Sequence, residues 1–281
     1  LWLGMQWDEL YIQSERKSIY AKYSQILIEE DKAYRCFATE KELNKIREET
    51  KTYLYPGLWR DRSESEVQSK MDAGESFTVR LRTPLSGSTS FIDQIYNKIE
   101  TPNKEIDDFV IARSDGGPVY NLVVAVDDHD MGITHVIRGE DHVSNTPKQI
   151  MVYQALNWNS PSFAHLPMIL GPDQKRLSKR HGATGVQAFR EQGYLPEALI
   201  NYLTLLGWNP GTDQEMFNRE QLAETFDLGK VNKKSAVFDV KKLNWISGHH
   251  LMFRSNMDIL DNVRGLVPEW GKTGSDSYVM K

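Results

Sequence analysis

Among 281 residues there is one cysteine, Cys36. A single thiol excludes an internal disulfide framework and a cysteine-built metal site, and it suits a reducing compartment. No apolar run approaches the length needed to cross a bilayer, so no membrane partner is expected. Internal repeats and low-complexity tracts are also missing, which excludes solenoids and disordered arrays. The opening, Leu1-Trp2-Leu3-Gly4, has neither a methionine nor a targeting pattern. On that ground the chain is expected to be a fragment, with its targeting signals out of view.

What remains is ordinary globular composition, 40% apolar and 26% charged, in a length that accommodates two domains. The net charge of −5 conceals an asymmetry. Residues 91–147 hold 11 acidic and 4 basic side chains, whereas residues 148–190 hold 6 basic and 1 acidic. One basic segment on an acidic chain fits a local phosphate site better than a generally adhesive surface. Its centre is Asp173-Gln174-Lys175-Arg176-Leu177-Ser178-Lys179-Arg180-His181-Gly182, opened by Gly171-Pro172. Glycine and proline at both ends predict a loop, and cations on such a loop can close over a polyphosphate and neutralise a leaving group. A solvated basic turn is the plain alternative.

Periodicity predicts the surrounding elements. Ser14 is placed to cap a helix over about 15–30, with Ile19, Tyr23, Ile26 and Leu27 inward. Phe77, Val79 and Leu81 alternate with Thr78, Arg80 and Arg82, the pattern of a half-buried strand. Two apolar runs, 109–112 and 119–126, flank Ser114-Asp115-Gly116-Gly117-Pro118 and predict a strand pair with a tight connection. A short strand over 133–137 leads through Arg138-Gly139-Glu140-Asp141-His142 into a helix begun at Thr146-Pro147. Strand, polar loop and helix make half of a βαβ unit, and ligands bind where such strands end. Further helices are predicted from Pro196 to Gly207, after the Asn218/Gln221 capping box, and after Asp239. Asp127-Asp128-His129 could suggest a metal, but consecutive residues at a strand end alternate in direction and cannot all face one ion.

Four stretches, in order, resemble the glutamyl-tRNA synthetases, which are class I aminoacyl-tRNA synthetases. They are Gln13-Ser14-Glu15-Arg16; Arg113-Ser114-Asp115-Gly116 with Pro118 to Asn121 and Val126 to His129; Met131 to Asp141 with Asn145-Thr146-Pro147; and Leu177 to Gly182 with Gly193 to Ala198 and Leu205 to Trp208. The resemblance runs from about Trp2 to Trp245 and implies an α/β fold: a Rossmann-type catalytic core, incomplete here, with an inserted α+β acceptor-binding domain and a following helical stem-contact region. The implied domains are 1–33 and 123–165 for the Rossmann parts, 34–122 for the insertion, 166–250 for the stem-contact region with its signature loop at 176–180, and 251–281 for the start of the anticodon-binding helices. The implied chemistry joins L-glutamate to ATP, which brings Mg²⁺ as its substrate complex, and passes the glutamyl group to the 3′ end of tRNA(Glu). The resemblance assigns Lys179, Ser178, Arg176 and Arg180 to the phosphates and the leaving pyrophosphate. Within that loop Lys179 is the implied phosphate contact, Ser178 orients the loop, and Arg176 and Arg180 add field; Arg138 and Tyr120 are assigned to the glutamate side chain, and Asp141, His142, Met168 and Ile169, with Lys179, to ATP. Arg138 has an alternative as a structural ion pair with Asp127, Asp128 or Asp141.

The sequence also departs from the family pattern. The first, His-containing signature would lie before Leu1, so the chain by itself is expected to be inactive. Arg176 stands where lysine is usual. Cys36 has no companion cysteine at Tyr55 to Arg60, so no protein-bound zinc is expected. The implied enzyme is a cytoplasmic monomer charging tRNA(Glu), with tRNA(Gln) a further substrate in enzymes of broader specificity. Two other readings are a paralogue that glutamylates a queuosine base of tRNA(Asp), and a non-catalytic synthetase-like domain that binds tRNA. The helical stretch from Tyr194 to His250 argues against the paralogue, which ends sooner and activates glutamate without tRNA.

Overall fold

The structure, a computed structural model, describes residues 2–178, 180, 182 and 185–266. It divides into two compact units, Leu10–His165 and Leu1–Glu9 with Leu166–Lys281.

In the unit Leu10–His165, a short 3-10 turn, Gln13–Glu15, precedes helix α1 (Lys17–Glu29). Ser14 is therefore not the predicted cap. The position before α1 is Arg16, whose guanidinium instead donates to Asp127 at 2.8 Å and Asp130 at 2.5 Å. Next come β1 (Ala33–Cys36), α2 (Glu40–Thr50), α3 (Glu64–Asp72) and β2 (Thr78–Leu81). Thr39 and Ser63 each close a capping box at the start of α2 and α3. The hairpin β3 (Ser88–Asp93) and β4 (Asn97–Pro102) is followed by β5 (Val110–Ala112). Strands β1, β2 and β5 form one antiparallel sheet.

Strand β2 is more buried than its alternation predicts. Arg80 is 8% exposed because its guanidinium lies 3.7 Å from the centroid of Tyr55 and donates to the carbonyl of Asp108. Tyr55 covers the face that the sequence pattern leaves to water.

The larger correction is at 119–126. Ala112 and Pro118 do begin the expected hairpin, and Val119 N–H donates to Ile111. The second strand then gives way to helix α4 (Tyr120–Asp130), which buries Leu122, Val123, Ala125 and Val126. A short Val-rich run is compatible with either state; here burial at i, i+1, i+3 and i+4 marks one helix stripe facing α1 and α5. Strand β6 (His135–Gly139), helix α5 (Thr146–Ala155) and strand β7 (Ser162–Leu166) complete the unit. The second sheet has the order β4-β3-β7-β6, with β3 and β7 parallel at Asp93 and Phe163. The core joins both sheets through Leu27, Ile111, Leu122, Val126 and Val152, all fully buried. Each such side chain contributes about 1.5–3 kcal/mol.

The other unit holds a parallel pair, β8 (Ile169–Leu170) and β9 (Ala236–Val237). Between them come α6 (Val186–Glu191), α7 (Pro196–Gly207) and α8 (Arg219–Thr225), and after them α9 (Val240–Met252) and α10 (Asn256–Leu266). The predicted starts are observed: Pro196 at the first turn of α7, the Asn218–Gln221 box before α8, and Asp239 accepting from the backbone of Lys241 and Lys242. Leu199, Tyr202, Leu243 and Ile246 form the core of this unit. No described helix is long and apolar enough to cross a membrane.

Candidate active site

In the unit Leu10–His165, strand β6 ends at Arg138 and Gly139, and α5 begins seven residues later at Thr146, beneath the strand end. Burial determines what Arg138 can do. Its Nε donates to Nε2 of His165 at 3.2 Å, and its Nη2 donates to Thr146 Oγ1 and Gln149 Oε1, each at 2.8 Å. His165, Thr146 and Gln149 are almost wholly buried. Desolvation lowers the pKa of Arg138, while Tyr120 and Asp128 act in the opposite direction. Of the carboxylates considered as structural partners for Arg138, Asp127 accepts from Arg16 and Tyr20 instead, while Asp128 acts on the guanidinium through its charge. A guanidinium has five N–H donors; three are committed to His165, Thr146 and Gln149, and Tyr120 hydrogen-bonds to the guanidinium as well, so every partner is a neutral group. Such a group can receive an anion without first giving up a carboxylate of its own.

Tyr120, the first residue of α4, is 45% exposed, and its hydroxyl lies 3.2 Å from Nδ1 of His142. Asn145 approaches the same nitrogen, also at 3.2 Å. Three of the sequence-predicted residues, Arg138, Tyr120 and His142, are thus brought together. Asp141 is exposed on the turn between β6 and α5, its carboxylate folded back over Gly139. A Cβ at Gly139 would meet only the end of that exposed side chain, Oδ1 at 2.6 Å, and at φ −65° the backbone is ordinary, so a shift of Asp141 would make room.

The residues Asp127, Asp128 and His129 diverge, though not by strand alternation. They occupy the last turn of α4, where successive side chains are about 100° apart. Asp127 faces Arg16 and Tyr20, His129 stacks on Trp158 at a centroid distance of 3.7 Å, and Asp128 turns inward. Burial raises the Asp128 pKa to about 6, with Arg138 pulling the other way. Among the described residues no group of three or more His, Cys, Asp or Glu converges as a metal site. Cys36 is buried with its Sγ 3.3 Å from the hydroxyl of Tyr55.

Sequence reasoning missed the residues behind Arg138. Asp93 and His165 are both fully buried, with His165 Nδ1 2.7 Å from Asp93 Oδ2. The available signal was a histidine inside the apolar run Phe163-Ala164-His165-Leu166, where an ionisable group needs a partner.

In the other unit the basic loop is anchored at its base. Leu170 bridges Arg176, Gly171 N–H donates to Lys175, and Leu177 N–H donates to Ile169. Gln174 takes a left-handed φ of 57° to close this turn. Lys175, Arg176 and Arg180 are exposed and Ser178 half-buried. Arg180 pairs with Asp173 at 3.2 Å, an exposed pair that costs little to open. Lys179, the residue on which the phosphate assignment leans most, lies outside the described residues, as does His181. Met168 and Ile169 line an apolar pocket with Leu203, Trp208 and Phe226.

The family profile described as "tRNA synthetases class I (E and Q), catalytic domain" matches residues 1–245. A glutamate–tRNA ligase of Aquifex aeolicus is 48% identical over 281 residues, covering 98% of this chain and 59% of that protein. Glutamate–tRNA ligase 2 of Caldicellulosiruptor saccharolyticus is 49% identical over 263 residues, 89% of this chain and 55% of its own. Among solved structures, a glutamate tRNA ligase of Elizabethkingia meningosepticum in complex with its amino acid superposes with a TM-score of 0.88 at 33% identity. That match covers 99% of this chain and 63% of the other. The chain spans little more than half the length of the curated relatives it matches.

Proposed function

The chain belongs to the class I (E and Q) tRNA synthetases, and from that premise we propose that it is the catalytic part of a glutamate–tRNA ligase. The observation that carries this reading is Arg138: a guanidinium backed by the neutral acceptors His165, Thr146 and Gln149, with Tyr120 hydrogen-bonded to it. Such a group suits a carboxylate side chain better than a neutral amide.

In this reading an oxygen of the glutamate α-carboxylate attacks the α-phosphorus of ATP, and the bond to pyrophosphate breaks. A terminal ribose hydroxyl of tRNA(Glu) then attacks the acyl carbon, losing its proton as AMP leaves. Positioning and charge stabilisation suffice for both steps. Lys179, Ser178, Arg176 and Arg180 attend the phosphates, to which Mg²⁺ comes with the nucleotide. Arg138 and Tyr120 hold the glutamate side chain. Asp141 and His142 lie on the ATP side, and the backbone at Met168 and Ile169 meets adenine. Residues 34–122 contact the acceptor stem and 166–250 form the stem-contact region, while 251–281 begin the anticodon-reading part. The enzyme acts as a cytoplasmic monomer.

Glutamate-dependent ATP–pyrophosphate exchange in the full-length protein tests this. Exchange that requires tRNA(Glu) and is abolished by Lys179→Ala is the expected result. Removing that one cation should cost about 3–4 kcal/mol in the transition state. Exchange without tRNA would favour the tRNA(Asp)-modifying paralogue, and none under either condition a tRNA-binding domain. Charging assays with tRNA(Glu) and tRNA(Gln) side by side decide the breadth of specificity.

A further inference from the structure

Behind Arg138 the hydrogen bonds run on into the protein. Asp93 ends β3, and its carboxylate accepts four hydrogen bonds. Oδ1 takes the backbone N–H groups of Ile95 and Tyr96 at 2.9 and 2.8 Å, and Oδ2 takes the backbone N–H of His165 at 3.1 Å and its Nδ1 at 2.7 Å. A carboxylate is acceptor-only, so His165 must carry its proton on Nδ1, which leaves the Nε2 lone pair to accept from Nε of Arg138. Burial lowers the His165 pKa despite Asp93, which keeps the ring neutral at pH 7. Phe91 and Phe163 flank the imidazole, with ring centroids 6.1 and 6.4 Å away. The Asp93 carboxylate has a structural share, since it satisfies three backbone N–H groups, but the Nε2 edge of His165 meets only side chains, those of Arg138 and Thr146.

We propose that Asp93 and His165 are positioning residues: Asp93 selects the imidazole tautomer that accepts from Arg138 Nε, and the imidazole, with Thr146 and Gln149, holds the guanidinium so that Nη1 is the edge presented to the substrate carboxylate. This rests on the glutamate reading of Arg138. With the opposite tautomer, an Nε2–H would face the Nε–H of a cation; it could turn only to Thr146 Oγ1, 3.1 Å away and already an acceptor from Arg138 Nη2, and the Arg138 Nε–H would lose its acceptor. Arg138 would then lose its fixed orientation, and a misplacement of about 1 Å can cost of the order of a hundredfold in rate or affinity.

Three measurements on the full-length protein test it. In ¹⁵N-histidine NMR at pH 7.5, His165 of the unsubstituted protein should show a protonated Nδ1 and a pyridine-type Nε2. An Nε2–H tautomer or an imidazolium overturns the proposal, and this arm depends on neither activity nor a variant that folds. Asp93→Asn should raise the KM for glutamate about tenfold or more while the KM for ATP stays within about twofold. Parallel changes in both constants, or neither, would mean a purely structural pair. His165→Gln, whose amide oxygen can still accept from Arg138, should keep the glutamate KM closer to normal than His165→Leu; equal losses in the two count against positioning. Absence of glutamate-dependent exchange in the unsubstituted protein overturns the ligase reading instead, and the tautomer then decides whether Asp93 orients Arg138 in the way proposed.

Discussion

Two adjacent carboxyls on α4 show how much a residue's direction matters. Asp127 meets Arg16 and Tyr20, and Arg16 in turn is held charged by this pairing. Asp128, one position on, faces inward without such a donor and titrates near 6. A carboxyl whose pKa is raised by folding costs stability when ionised, and the cost disappears as pH falls from about 6 toward 3.8. Asp128→Asn is therefore expected to raise Tm at pH 8 and to lose that advantage by pH 4, as thermal melts across the range would register. Asp108 is the opposite case. Its buried carboxylate accepts from Arg60, Thr83 and Tyr34, and tethers the 55–60 segment to the β1-β2-β5 sheet. Asp108→Ala strands the Arg60 guanidinium and should cost about 3–5 kcal/mol, measurable as a lower urea midpoint.

At the scale of elements, chemistry at the helix ends was the most legible part of the sequence. Pro196, Asn218 with Gln221, and Asp239 each announce a helix start because one side chain alone satisfies, or one ring dispenses with, an orphan backbone N–H. Ser14 carries the same signal without effect, because Arg16 is drawn toward two carboxylates far along the chain. Ser63→Ala should thus cost about 1 kcal/mol in unfolding free energy, whereas Ser14→Ala should cost close to none. The run 119–126 was illegible for a different reason. Eight residues, six of them Val, Leu or Ala, fit a buried strand and a buried helix equally, and only packing against α1 and α5 decides. Of the candidate site, Arg138, Tyr120 and His142 could be named because motif and local order place them. Asp93 and His165 could not, since their hydrogen bond joins strands that pattern alone does not pair.

For the molecule as a whole, acid should act on both units. His165, buried in one, and His250, half-buried in the other, both have pKa values lowered by desolvation; His250 Nε2 lies 3.0 Å from Asn201 Oδ1. In each case the unfolded chain binds a proton that the folded chain refuses, so stability present above about pH 6.5 is lost as pH falls toward the depressed values. Asp128 works against this below about pH 6. Unfolding midpoints at pH 7.5 and 5.5 should therefore differ, the lower pH being the less stable, and Asp128→Asn should widen the gap. The parallel pairing of β8 with β9 has a consequence of another kind. Ile169 and Leu170 frame the base of the basic loop, but their partners, Ala236 and Val237, are synthesised only after α6, α7 and α8. At an elongation rate of about 5–20 residues per second, a nascent chain carries this loop for seconds with no strand beside its base. The part assigned to nucleotide chemistry is thereby fastened well after it is made, and a chain halted before Ala236 has every loop cation in place yet lacks the strand that supports their base.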